Sequence, residues 1–300
     1  MIEETLAMTW HEALFYLLFS SQILVISYFL PRTILRRLDK IRTDYPPNEY
    51  PKLYPMDASQ FRILHWALKW STRVILFIGI ALLLALMFVV DHSTFADDGY
   101  ISEFWPAANG MLQFVPLMAM EMFEFKNMEH MRLNQTSKIR SADMNRRGLF
   151  NVVSPWLVLA GVSTLVIAIA FDISLNGIAL DWDNDAFVRS FVLVMTNLFL
   201  AGFGAWFLFG KKFDPHQSSS DRRLKIAANM SSFLYLSIIM SIYFMSAAAD
   251  QRYDLDYLDA SILSMYFQAI VAFSVVYLMK AIRLEDLDFS VYKDKPSASH

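Results

Sequence analysis

The sequence predicts an all-α, polytopic membrane protein, a bundle of seven transmembrane helices with the N-terminus outside and the C-terminus inside. Three observations predict it. Of the 300 residues, 56% are hydrophobic and only 18% charged, and the mean hydropathy is +0.35, outside the usual soluble range. Seven apolar stretches approach the ~20 residues that a hydrocarbon core of roughly 30 Å requires at about 1.5 Å per helical residue. Counted as spans, they put 24 of the 26 Lys and Arg residues on one side.

The first stretch covers residues 13–30 and stops at Pro31 and Arg32; the second, 74–90, lies between Arg73 and Asp91. The third, 104–123, is the least apolar, because Pro106, Asn109, Gln113, Pro116 and Glu121 all fall within it. The fourth (152–171), fifth (190–210), sixth (226–249) and seventh (260–282) carry no formal charge until Lys280. Hydropathy alone does not secure the third span, but charge retains it. With seven spans, the segments 32–73, 126–147, 211–225 and 280–300 hold nine, six, five and four basic residues, all inside, as cytoplasmic loops should. Only Arg189 and Arg252 fall outside, among fifteen acidic residues. Without the third span the basic residues would divide eleven to fifteen, and the asymmetry would vanish.

The segment before the first span has no basic n-region, and no small-residue cleavage site follows that span, so it should remain as an anchor in a cytoplasmic (inner) membrane. Residues 1–283 form one membrane domain, and 284–300 are expected to be a short, mobile cytoplasmic tail. Residues 31–73 are expected to be a cytoplasmic loop. Its Tyr45-Pro46, Tyr50-Pro51 and Tyr54-Pro55 steps favour a non-helical, polyproline-like path, and an interfacial helix rich in Trp and basic residues follows. The Tyr rings should lie at headgroup level or dock a partner.

An ionisable group within a span is the default place to look for function. Glu121 is the one such group, five residues before Lys126. At 100° per residue, Asn109, Gln113, Glu121 and Glu124 form a polar stripe on the third helix, with Pro116 in its middle, facing either a pathway or a polar seam between helices. Gln268, near the middle of the seventh span, is a candidate partner across that pathway. The basic face offers Tyr45, Tyr50, Tyr54, His130, Arg132, Arg140, Arg146, Arg147, Arg222 and Arg223 as candidate interaction residues for a protein or for anionic lipid.

Several chemistries find no support. The chain has no Cys, which removes disulfides, thiolate metal sites and thiol nucleophiles. Asn127 stands where a di-iron Glu-x-x-His motif needs Glu before His130, and no zinc-protease His-Glu-x-x-His occurs. No cofactor, metal or nucleic-acid partner is expected. Seven spans suggest receptors and rhodopsins, but Lys280 lies at the inner edge of its span and not at mid-span, and no Cys can tie the third helix to an outer loop. The foremost expectation is a non-enzymatic membrane protein, a scaffold, sensor or accessory subunit, that works through its basic cytoplasmic face. The alternative is a transporter or channel gated by Glu121. The third is a lipid-modifying enzyme, with Glu121, Glu124, His130, Arg132 and Arg140 near the headgroups.

Overall fold

A computed structural model describes residues 9–56, 58–88, 101–134, 148–177, 179–210 and 214–293. The described chain is helical throughout: α1 (Trp10–Asp44), α2 (Ala58–Phe88), α3 (Phe104–Leu133), α4 (Pro155–Asn176), α5 (Asp185–Phe209), α6 (Ser219–Tyr253) and α7 (Asp259–Ala281). Six of these, all but α3, are long and apolar enough to cross a membrane. Large apolar side chains such as Phe77, Met111, Trp156, Phe199 and Trp206 are exposed on the outer faces, as lipid contact requires and water would penalise.

Consecutive helices alternate in direction. Tyr16 near the start of α1 donates to the Leu86 carbonyl at the end of α2, and Phe61 at the start of α2 packs against Phe123 late in α3. Ser237 of α6 bonds Asn197 of α5, while Gln251 at the end of α6 reaches Asp185 at the start of α5. Tyr243 and Tyr235 of α6 meet Tyr266 and Tyr277 of α7, again in opposite senses. Helix α3, a continuous 30 residues and therefore about 45 Å long, runs parallel to α1 and antiparallel to α2. The helices α1, α2, α3 and α7 form one group, α4, α5 and α6 another, and α6 packs on α7 to join them.

Two expectations are corrected. The first helix does not stop at Pro31 but continues to Asp44. A π-turn over Val25–Phe29 widens the helix immediately before Pro31, which then occupies the first turn of the next α-helical stretch, where a missing N–H is tolerated. From there Ile34 is buried and Leu38 half-buried, while Arg32, Arg36 and Lys40 are exposed, so the basic residues lie on the outer face of a helix and not in a loop. The expected interfacial helix is likewise the beginning of α2, where Arg73 lies 5.2 Å from the Trp70 ring.

The expected mobile tail is the second. Its described part, Leu284–Lys293, forms two 3-10 turns, and Phe289 and Tyr292 are buried in a cluster with Tyr50 and Met131. Arg37 donates to the carbonyls of Met279 and Ile282, closing the end of α7 and fixing the direction in which this segment leaves it. Residues 294–300 lie outside the described residues.

Candidate functional site

The loop between α1 and α2 folds as compact turns and not as an extended polyproline path. Tyr45, Tyr50 and Tyr54 each precede Pro and share nearly one conformation, φ −129°, −124° and −122° with ψ 70°, 56° and 63°, because the following ring bars the α region. Their side chains turn onto the protein itself. Tyr45 stacks on Phe289 with centroids 3.8 Å apart, Tyr50 meets Tyr45 edge-on, and the Tyr54 hydroxyl donates to the Tyr45 carbonyl at 2.9 Å. Burial raises the Tyr54 phenol above its ordinary value, and Arg42 partly offsets this. Lys52 donates to the Lys293 carbonyl at 2.7 Å, and the Lys293 ammonium sits 4.9 Å from the Tyr50 ring. Loop and C-terminal segment thus clasp each other at the end of the bundle where basic residues concentrate.

Behind this clasp lies a cavity of about 670 Å³. Its walls come from the second half of α1, the loop and the start of α2, the last turns of α3, the start of α6, the end of α7 and the C-terminal segment. Glu121 and Glu124 project from α3 into it, and both are exposed to its space. Neither has a hydrogen-bond or ion-pair partner among the described residues. Several other polar groups on the wall are engaged, although the Asn127 Oδ1 has no hydrogen-bond partner among the described residues. His65 lies 3.2 Å from Asp39, Asp214 accepts from the Tyr292 hydroxyl and the His216 amide, and Asp221 accepts from the Asp288 amide at 3.1 Å. Both π-turns among the described residues, Val25–Phe29 in α1 and Ala272–Val276 in α7, occur in helices that line the cavity, and Val275 itself is in the wall. Such turns recur at functional sites.

The predicted polar stripe of α3 divides in two. Asn109 and Gln113 are buried and do not reach the cavity. Gln113 donates to Ser27 at 2.9 Å and accepts from Gln22 at 3.2 Å; Gln22 also accepts from Ser264 at 2.7 Å, so one seam ties α1, α3 and α7. Asn109 has neither amide atom hydrogen-bonded among the described residues. It sits against Gly79, where an added Cβ would come within 3.3 Å of its Oδ1. Gln268 does not stand opposite Glu121. It accepts from Ser21 and donates to the Leu18 carbonyl, both at 3.1 Å, within the interface of α1 and α7.

The basic candidates separate as well. Arg222 is buried and donates to the Gly210 carbonyl at 2.7 Å, and Arg223 donates to the Asn151 carbonyl at 2.9 Å, so both fasten turns next to helix ends. His130 and Arg132 are exposed near the end of α3, outside the cavity wall. Arg140, Arg146 and Arg147 lie outside the described residues. Gln22 and Ser27 carry no signal in the sequence, since lone polar residues in an apolar run give no pattern.

At the opposite end of the bundle, Asp250, Asp256 and Asp259 bring one carboxylate oxygen each within 4.8 Å of the others, a grouping that loop composition alone did not reveal. Nearby, Asp172, Arg189, Asn176 and Gln251 join α4, α5 and α6 through hydrogen bonds of 2.6–2.9 Å. No family model, curated protein or solved structure matches the chain.

Proposed function

We propose that the chain crosses a cytoplasmic membrane seven times, N-terminus outside and C-terminus inside, and that it takes a small solute into the cavity at its cytoplasmic end, as a transporter or channel with Glu121 on the path. One observation carries the solute reading: a cavity of about 670 Å³ reaches two carboxylates with no partner among the described residues. A cavity of this size falls within the range of small-molecule sites, and unpaired charge facing it suits a site that is filled in use. The orientation draws support from the charge asymmetry and from the alternating directions of α1 to α7, in which α3 takes the place of a full crossing.

The partner-docking reading has less support, because Tyr45, Tyr50 and Tyr54 are occupied by intramolecular contacts and Arg222 by Gly210. Anionic lipid headgroups remain suitable neighbours for the exposed Arg32, Arg36 and Arg62. A lipid-modifying enzyme has the least, since His130 and Arg132 do not join Glu121 and Glu124 on the cavity wall.

The test is access. The natural chain has no Cys, so Glu124→Cys and Leu287→Cys each introduce a single thiol. Both should react with an impermeant maleimide from the cytoplasmic side of vesicles, and Leu38→Trp, which fills the cavity, should slow the reaction. Labelling only from the outer side would overturn the orientation; no labelling from either side would overturn the solute reading.

A further inference from the structure

The ligand class follows from what the wall leaves unpaired. Carboxylates on the wall outnumber Arg and Lys six to three. Asp39 lies against His65, Asp214 and Asp221 accept hydrogen bonds, Asp288 accepts from the Ser290 amide and hydroxyl, and Arg37 donates to two carbonyls, while Arg42 and Lys225 stand elsewhere on the wall. Glu121 and Glu124 remain, three positions apart and therefore neighbours on one face of α3, where two like charges repel each other. A cation placed between them would relieve that repulsion.

Aromatic rings stand beside the pair. Phe123 lies between the two Glu residues in sequence, Phe61 meets it edge-on at 5.2 Å, and Tyr54 meets Phe61 edge-on at 5.5 Å; all three line the cavity. Ring faces together with carboxylates recognise organic ammonium-type cations. A hydrated divalent ion fits poorly, since it requires about six oxygen ligands and much of this wall is Ile34, Leu38, Met120, Met128, Leu278 and Met279. That apolar remainder suits the body of an amphiphile, and the flexible Met side chains can adjust to its shape.

We propose that the cavity binds a lipophilic organic cation, with Glu121 and Glu124 as its counter-charge and Tyr54, Phe61 and Phe123 as its aromatic wall. This rests on the reading of the cavity as a solute site. The full chain in nanodiscs is equilibrated with radiolabelled tetraphenylphosphonium, with uptake by empty nanodiscs subtracted, and in parallel with tetraphenylborate, an anion of nearly the same size. Saturable binding of the cation and none of the anion is expected. Glu121→Gln/Glu124→Gln should weaken cation binding by about tenfold or more, roughly 1.4 kcal/mol per decade. Phe61→Leu, which removes a ring and leaves both charges, should weaken it several-fold and guards against a double variant that fails to fold.

Saturable binding of tetraphenylborate in place of the cation, through Arg42 and Lys225 on the same wall, would overturn the cation class and leave the solute reading standing. Binding of neither ion would overturn the cation assignment, while the solute reading would still stand or fall on the labelling of position 124. Unchanged cation affinity in both variants would also overturn the assignment.

Discussion

Arg189 grips Asp172 with two hydrogen bonds, Nε to Oδ2 at 2.9 Å and Nη2 to Oδ1 at 2.7 Å, and thereby ties the start of α5 to the end of α4. The pair gives Arg189, one of the two basic residues that the sequence's charge count leaves among acidic ones, a structural role that the charge asymmetry alone leaves unexplained. Asp172 is buried, and the same Arg reaches Gln251 of α6 at 2.6 Å. Removing one partner strands the other, at a cost of about 3 kcal/mol, whereas replacing both with apolar residues avoids the stranded charge. Arg189→Leu should therefore destabilise the protein more than Asp172→Leu/Arg189→Leu, measured by reversible unfolding in mixed micelles. A double variant at least as unstable as the single would show that the pair is not the source of the effect.

The seam through Gln22 gives a second expectation, one that separates architecture from site. Gln22 bonds Gln113, Ser264 and the Pro106 carbonyl, and interhelical hydrogen bonds within membranes contribute about 0.6 kcal/mol each, so Gln22→Leu should cost roughly 2 kcal/mol. Gln268→Leu should also lower stability, through the loss of Ser21 and Leu18 as partners. Neither change should alter labelling of a cavity thiol at position 124. Glu121→Gln should do the reverse, leaving unfolding nearly unchanged, because its carboxylate has no partner among the described residues. Reduced labelling in Gln268→Leu at native stability would return Gln268 to the pathway.

Close packing of α3 on α7 supplies a third. A Cβ on Gly110 would lie 2.7 Å from the Phe267 ring, nearer than real Cβ atoms approach, so one helix or the ring must move. Gly110→Ala should cost about 1–3 kcal/mol by overpacking, and Phe267→Leu in the same chain should recover part of it. The comparison is read from unfolding midpoints of the two variants. If α3 lay flat on the surface and not beside α7, Gly110→Ala would change little.

Much of the helical plan was legible because an apolar run reports the part of a helix that meets lipid. The stretches 152–171 and 190–210 fall within or close to Pro155–Asn176 and Asp185–Phe209, and the helices add polar turns at their ends that hydropathy does not count. Pro31 misled for a physical reason: a preceding π-turn lets the helix pass through a residue that would otherwise end it. Glu121 was legible as a charge inside an apolar segment, and Glu124 by its spacing. The remainder of the cavity was not. Its floor includes Leu284, Leu287, Phe289 and Tyr292, apolar residues scattered among charges with no helical period, and only the fold brings them against Tyr45 and Tyr50.

That C-terminal clasp should respond to pH from both sides. His216 meets Tyr292 edge-on with centroids 6.2 Å apart, and the Tyr292 hydroxyl donates to Asp214. Burial holds the His216 imidazole below its ordinary value; Asp214 pulls it back up, and Lys52 pushes it further down. Released from the clasp, the imidazole would bind a proton near its ordinary value of about 6.5, so the clasp keeps its full strength above that pH and weakens as pH falls through it. Tyr292 behaves oppositely. Burial, followed by Asp214, raises its phenol, so above about 10 the released form ionises first and the clasp weakens as pH rises. Hydrogen exchange over residues 284–293, corrected for intrinsic rates, should thus be slowest between about pH 7 and 9. His216→Phe should remove the acid limb and leave the alkaline one, while Tyr292→Phe should remove the alkaline limb at an overall cost of about 1.5–3 kcal/mol for a hydrogen bond to a charged acceptor. An acid limb that persists in His216→Phe would assign it to another group on the clasp.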